Sequence, residues 1–241
     1  MLRLLVFIGF LYVNTSYAES YTVLSYHGAN PPYSYFEGDI MKGIFPDIFA
    51  RISELSGHQF TFVTFSVARG LRLFDQGKVD IEPGINPIWR SHTKVPGIYS
   101  EFYASSREIV VASQYRQERT PLDLYHKVLG VVRGYRYGEF EQHFAPGKIV
   151  KVDSRSEVEL LAQIEHGNID YAILGEASAL FYINKNKRTS FKPVLLVSDL
   201  PVAMRFQPHL RVLRSELNKI LTDMKQRGEI DTIYAKYGAK P

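Results

Sequence analysis

The chain has 241 residues, 45% hydrophobic and 22% charged, a composition that fits one large globular domain or two small ones. It contains no cysteine, which excludes disulfides and thiolate metal sites. The formal charge of +4 is scattered along the chain rather than gathered into a basic stripe, so nucleic acid is not an expected partner. A mildly basic surface is only a weak pull on anions.

In chain order, residues 1–18 read as an export signal. Met1-Leu2-Arg3 is a positive start, Leu4 to Val13 an apolar run, and Ser16-Tyr17-Ala18 a small-residue cleavage site. The run is short for a membrane anchor. Tyr21 to Ser25 reads as a strand, and residues 28–38, rich in Pro, Gly and Tyr, as a loop. Ile44, Phe45, Ile48, Phe49, Ile52 and Leu55 recur at helical spacing, with Gly57 as the stop. Gln59 to Phe65 alternates as a strand, and a helix covers Arg69 to Gln76. Glu82 to Arg90, with two prolines and a glycine, reads as a loop.

Glu108 to Ala112 is a β run that crosses into a second lobe, and Val128 to Val132 is a strand leading into the turn Arg133-Gly134-Tyr135. Glu157 to Glu165 is helical, with Val158, Leu161 and Ile164 inward. Lys185, Lys187 and Arg188 read as a solvated loop. Val194 to Val197 is a strand and Leu200 to Met204 a return to the first lobe. Leu210 to Met224 and Ile230 to Tyr237 are terminal helices parted by Gly228.

One phrase occurs twice. Leu71-Arg-Leu-Phe-Asp-Gln-Gly77-Lys-Val79-Asp80 and Leu161-Ala-Gln-Ile-Glu-His-Gly167-Asn-Ile169-Asp170 are each a helix end, a Gly, a polar residue, a β-branched residue and an Asp. Each enters a short apolar strand, Ile81 to Pro83 and Tyr171 to Leu174. The Gly suits a left-handed C′ position. The repeat predicts an α/β fold of two similar lobes. Lobe 1 spans residues 19–108 plus 200–241, and lobe 2 spans residues 109–199. Two crossings make a hinge, and ligands of such sheets sit at strand carboxyl ends.

Candidate site residues follow from that placement. Arg90 can grip a carboxylate with its planar fork, or form a surface salt bridge. Arg69 faces the cleft or pairs with an acid at its helix start. Tyr33 and Tyr35 stack on a ligand or pack on the following helix. Trp89 is a lid or platform. The turn at Arg133, Gly134 and Tyr135 offers backbone N–H groups to an anion, or is plain turn chemistry. Glu82 and Glu176 both follow repeat strands and either meet a cation across the cleft or act as structural carboxylates. The seven histidines form no metal motif, and no P-loop, GxGxxG or GxSxG is present. No cofactor, metal or catalytic activity is expected.

The chain resembles the bacterial periplasmic solute-binding proteins of the amino-acid transporter type (extracellular family 3, type II periplasmic binding fold). The resemblance rests on Pro31-Pro32-Tyr33-Ser34-Tyr35, Gly43 with Asp47, Gly77-Lys-Val-Asp80, Arg90, Gly134, Gly167-Asn-Ile-Asp170 and the ending Gly228 to Tyr237. It implies a periplasmic, monomeric binder that closes on a small ligand and serves a membrane permease or a sensor. It also implies that Arg90 clamps a ligand carboxylate, that Gly84 and Asn86 touch the ligand, and that Tyr135 takes the place of a second-lobe Ser or Thr. The chain departs from the pattern in a shorter loop from Asp80 to Arg90 and in Gly175, which stands where an acid receives the ligand's ammonium. Glu176 is adjacent. These departures point away from a standard L-amino acid and leave an anionic or carboxylate ligand. The alternatives are a dehydratase of the cyclohexadienyl type with Glu176 or Glu82 as general acid, and a signalling protein whose degenerate cleft binds a partner.

Overall fold

The computed structural model describes residues 18–26, 31–113, 116–186 and 191–241. Nearly all of the expected export signal, with His27, Gly28, Lys187 and Arg188, lies outside them. Four elements open the chain: β1 (Ser20–Tyr26), the hairpin of β2 (Tyr35–Glu37) and β3 (Ile40–Lys42), and α1 (Ile44–Ser56). The hairpin corrects the loop expected over residues 28–38. Its short, exposed strands carry too little apolar periodicity to be seen in sequence.

Next come β4 (Gln59–Phe65), α2 (Val67–Asp75), β5 (Ile81–Ile85), β6 (Ile98–Tyr99) and β7 (Ala104–Ser113). Then follow β8 (Val128–Val132), β9 (Val150–Ser154), α3 (Glu157–Glu165), β10 (Tyr171–Gly175), α4 (Glu176–Asn186), β11 (Phe191–Phe206), α5 (Arg211–Gln226) and α6 (Glu229–Lys236).

The main sheet runs β4-β1-β5-β11-β7-β10-β8-β9, with β6 paired to β11. From one edge, β4, β1 and β5 are parallel and β11 is antiparallel to β5. From the other edge, β9, β8 and β10 are parallel and β7 is antiparallel to β10. The repeat is therefore architectural: β1-β4-α2-β5 is answered by β8-β9-α3-β10. The cores are separate as well. One gathers around Ile48, Phe49, Met204, Leu217 and Tyr234, and others around Leu160, Leu174, Val131 and Ile173.

β7 and β11 cross between the lobes as a paired ribbon. In it Glu108 stands opposite Ser198 and Leu200 opposite Ser106. The two segments read separately as Val194 to Val197 and Leu200 to Met204 are one strand. Register shifts between Pro193 and Leu195, and between Leu196 and Ser198, let it bend while it pairs.

The reading of Glu82 to Arg90 as a loop needs correction. β5 continues to Ile85 and pairs with β11 across a register shift, the kind of place where a sheet admits Pro83. Only Pro87–Arg90 leaves the sheet, as a 3-10 turn. One inward assignment also fails. Val158 is exposed because α3 buries positions 157, 160, 161 and 164, a stripe turned by one residue. Leu55 is exposed at the last turn of α1.

Gly77 and Gly167 adopt φ of 69° and 71° at the C′ positions of α2 and α3. Lys78 N–H donates to Leu73 O at 2.9 Å and Asn168 N–H to Gln163 O at 2.9 Å, so both ends are Schellman caps. A methyl at either glycine meets no atom within 4 Å, which leaves backbone strain as the only penalty. Gly77→Ala is expected to cost about 1 kcal/mol. Urea unfolding checks it, and an unchanged midpoint would refute the strained cap.

Candidate functional site

A cavity of about 110 Å³ lies between the lobes. Lobe-one segments supply Tyr26 at the end of β1, Tyr33, Phe45 of α1, Gly84 of β5, the 3-10 pair Trp89 and Arg90, and Tyr234 of α6. The crossing strand β7 supplies Ser105, Ser106 and Glu108, and lobe two brings Gly134, Tyr135, Arg136, Glu157 and Gly175. A more open cleft of about 810 Å³ adjoins it and shares Tyr26, Val67, Gly134, Tyr135 and Glu157. The walls converge because β1, β5, β8 and β10 all end here. The rings of Tyr33 and Phe45 stack at 5.3 Å, forming one apolar wall.

Arg90 lines the cavity, but its fork is engaged. Its Nη2 lies 2.5 Å from Glu82 Oε1, and its Nε donates to both Glu82 oxygens at 3.1 Å. Nη2 also donates to the Tyr26 hydroxyl at 3.1 Å, and Nη1 to Trp89 O at 3.2 Å. Glu82 is fully buried, and Arg205 Nη1 approaches its other oxygen at 2.7 Å. The Tyr26 hydroxyl donates to Glu82 as well. Burial alone would raise the Glu82 pKa, but the charges of Arg90 and Arg205 with their hydrogen bonds outweigh it and hold the group below the usual carboxylate range. Two arginines around one carboxylate leave a net positive wall.

The acids inside the cavity are others. Glu108 is 7% exposed and accepts from Ser198 Oγ at 2.8 Å. Burial, with help from the charges of Glu157 and Glu141, pushes its pKa up to about 7. Glu157 is 5% exposed and accepts from the Gly175 N–H at 2.9 Å through Oε1. Burial raises its pKa too. Its Oε2 is buried without a hydrogen-bond partner, as are Trp89 Nε1 and the Tyr234 hydroxyl. Buried polar atoms of a native protein are normally paired, so such atoms beside a cavity mark where a ligand's polar groups fit.

Of the residues expected at the site, Tyr33, Gly84, Trp89, Arg90, Gly134 and Tyr135 reach the cavity wall. Glu82 lies behind it. Asn86 accepts from Ile88 N–H at 3.0 Å and donates from Nδ2 to Pro201 O at 2.7 Å, so it caps the 3-10 turn. Tyr35 instead lies 5.5 Å from Phe181 of α4, a ring contact between lobes. Arg69 lies 5.0 Å over the Phe65 ring, outside the cavity. Glu176 pairs with Arg107 at 3.0 Å. Arg133 is exposed beside Asp153 and borders the open cleft.

The turn does not present a run of free amides either. Arg133 N–H donates to Ser154 O at 2.9 Å and Tyr135 N–H to Val132 O at 3.1 Å. Among the described residues no three His, Asp or Glu gather as a metal site would require, and no helix is long and apolar enough to cross a membrane.

Tyr26, Phe45, Glu108, Glu157 and Tyr234 were not expected at the site. For Glu157 a signal existed: the offset that takes Gly77 to Gly167 takes Val67 to Glu157, and both first helical residues line the cavity.

The family model described as bacterial extracellular solute-binding proteins, family 3, matches residues 23–240. No curated protein matches the chain. Among solved structures, an ancestral arginine-binding protein bound to arginine is similar at 20% identity and TM-score 0.79, covering 90% of this chain and 97% of that one. An arginine transport-system periplasmic binding protein from Legionella pneumophila is similar at 17% identity and TM-score 0.75, covering 91% and 100%. A histidine kinase sensor domain described as similar to periplasmic binding proteins is similar at 17% identity and TM-score 0.79, covering 92% and 98%. At these identities the likeness shows the two-lobe type II periplasmic binding fold.

Proposed function

The chain belongs to the bacterial extracellular solute-binding proteins, family 3, and on that premise we propose that it captures a small polar, carboxylate-bearing or amino-acid-like solute by hinge closure. Delivery would be to an ABC permease or a sensor. One observation carries the reading: an inter-lobe cavity walled by rings is lined by Trp89, Tyr234 and Glu157, whose Nε1, Oη and Oε2 atoms are buried without partners. The paired strands β7 and β11 supply the hinge. Lobe 1, residues 19–108 plus 200–241, turns against lobe 2, residues 109–199. Residues 1–18 direct a monomeric chain to the periplasm. Arg90 contributes a positive wall and one Nη1 hydrogen to the ligand carboxylate, its other donors being held by Glu82, Tyr26 and Trp89. Catalysis as a dehydratase through Glu82 would need a carboxylic acid there, and its two arginines favour the carboxylate.

Trp89 is the sole tryptophan, so its emission reports on the cavity directly. Titration of the ligand-stripped protein with amino acids, dicarboxylates and polyamines is expected to give a saturable emission change with at least one compound. A compound at about 100 times its Kd should also stabilise the fold by roughly 2.7 kcal/mol. No emission change and no stabilisation across these classes would sink the reading.

A further inference from the structure

Arg90 meets the cavity with a charge but without an open fork. A guanidinium grips a carboxylate with two parallel bonds along one of its edges, Nε with Nη2 or Nη1 with Nη2. Glu82 closes the first edge: Nε donates to both of its oxygens at 3.1 Å and Nη2 to Oε1 at 2.5 Å. The second edge is broken too, because Nη2 gives its other hydrogen to the Tyr26 hydroxyl at 3.1 Å. Nη1 donates one hydrogen to Trp89 O at 3.2 Å, and a single Nη1 hydrogen remains.

Glu82 is held where it stands. Arg205 Nη1 donates to its Oε2 at 2.7 Å, and the Tyr26 hydroxyl donates to its Oε1. Arg205 lies opposite Glu82 in the β5–β11 register and is anchored by Pro96 O and the Thr93 hydroxyl, each at 3.1 Å. Both Glu82 and Arg205 are fully buried. The 3-10 turn that follows β5 folds Arg90 back over the strand that carries the acid, and Asn86 caps that turn while donating to Pro201 O. A ligand carboxylate that took the fork would therefore strip a buried charge of one of its two counter-ions, with no water to replace it.

Resting on the reading of this cavity as the ligand site, we propose that Glu82 is a specificity-determining residue: it occupies the fork of Arg90 in place of a ligand carboxylate, so the cleft binds a carboxylate solute and its matching amide with similar affinity. An amide oxygen can accept the remaining Nη1 hydrogen as a carboxylate oxygen does. Discrimination falls to neutral groups of the wall. Trp89 Nε1 and the Tyr234 hydroxyl are buried there without partners, and the stacked rings of Tyr33 and Phe45 give the cavity its shape. Glu82 lies behind the wall and acts through Arg90, so the readout is a ratio of affinities, which a loss of stability does not move.

The test uses the full mature chain, Trp89 emission and matched pairs of probes: L-glutamine with L-glutaminamide, L-arginine with L-argininamide, and succinate with succinamate. In wild type, each pair that binds is expected to differ in Kd by less than about tenfold, the scale that separates a charged from a neutral hydrogen bond. A fork released to the ligand would discriminate by roughly thirtyfold or more. Glu82→Gln keeps the shape and an acceptor but removes the charge that holds the fork. In that variant the carboxylate member of a pair should gain at least about tenfold over its amide.

A wild-type preference for the carboxylate above about tenfold would overturn the inference, as would equal ratios in wild type and the folded variant. If the variant does not fold, the wild-type ratio decides alone. Binding of a polyamine with silence from every matched pair would overturn the inference while leaving solute capture intact. Silence from every pair and from the broader set of solutes would overturn both.

Discussion

Glu82→Ala is expected to destabilise the ligand-free protein by about 3–5 kcal/mol, the usual result of removing one partner from a buried ion pair. The carboxylate is fully buried between two guanidiniums, Arg90 at 2.5 Å and Arg205 at 2.7 Å. Arg205 is itself fully buried. It donates from Nε to Pro96 O and from Nη2 to Thr93 and Val95, and it lies 3.9 Å above the Phe74 ring. Removing Glu82 leaves two like charges close together without their counter-ion. For a chain of this length the loss corresponds to a fall in melting temperature of roughly 10 °C. The pH signature has a definite sign. A carboxyl held below its unfolded value stabilises the fold above that unfolded value, 4.5 here, and loses the contribution as pH falls through its folded value. Wild type should therefore weaken in acid more steeply than the variant. Thermal melts from pH 3 to 7 check both points, and a loss below 1 kcal/mol at pH 7 would show that the arginines find other partners.

The same cluster shows how far the sequence could be read. Arg90 was recognisable as a cleft residue from its place after the first repeat. That its fork turns inward to Glu82 was not, because Arg205 comes from a strand far along the chain and only the β5–β11 pairing brings it there. The repeat was legible because Gly77 and Gly167 each require a backbone conformation that few other residues tolerate. The residues after strand ends, Tyr33, Trp89, Gly134 and Tyr135, were legible for a related reason: parallel strands deliver their carboxyl ends to one place.

Phe45 and Tyr234 stood in helical stripes that look like ordinary core, and nothing local separates a ring facing a cavity from one facing the interior. Glu108 did carry a local signal, a charge at the head of Ile109-Val110-Val111-Ala112, but its neighbours across the sheet, Gly175 and Ser198, are set by register alone. The hairpin of β2 and β3 and the strand β9 were missed for the opposite reason. Each is short and mostly exposed, so the alternation that announces a strand is weak.

Glu108→Gln is expected to act in the opposite sense, stabilising the ligand-free protein at alkaline pH. The folded pKa of Glu108 is about 7 against 4.5 in the unfolded chain, so the folded state holds its proton more tightly. Stability from this group is complete below about pH 4.5 and declines as pH rises through 7. The difference amounts to about 3 kcal/mol by pH 8. Glutamine has the same shape, accepts from Ser198 and cannot ionise. The variant should match wild type near pH 5 and exceed it at pH 8 by about that amount, with Glu157 in place to keep part of the slope. Urea unfolding at the two pH values measures it, and parallel curves for the two proteins would show that Glu108 ionises without penalty. A larger gain at pH 8 in the double variant with Glu157→Gln would show that the two acids share the effect. A Glu108→Gln gain at pH 8 would show that the buried carboxylate is retained at a cost to folding, since among the described residues Ser198 is its single hydrogen-bond donor and burial opposes its charge.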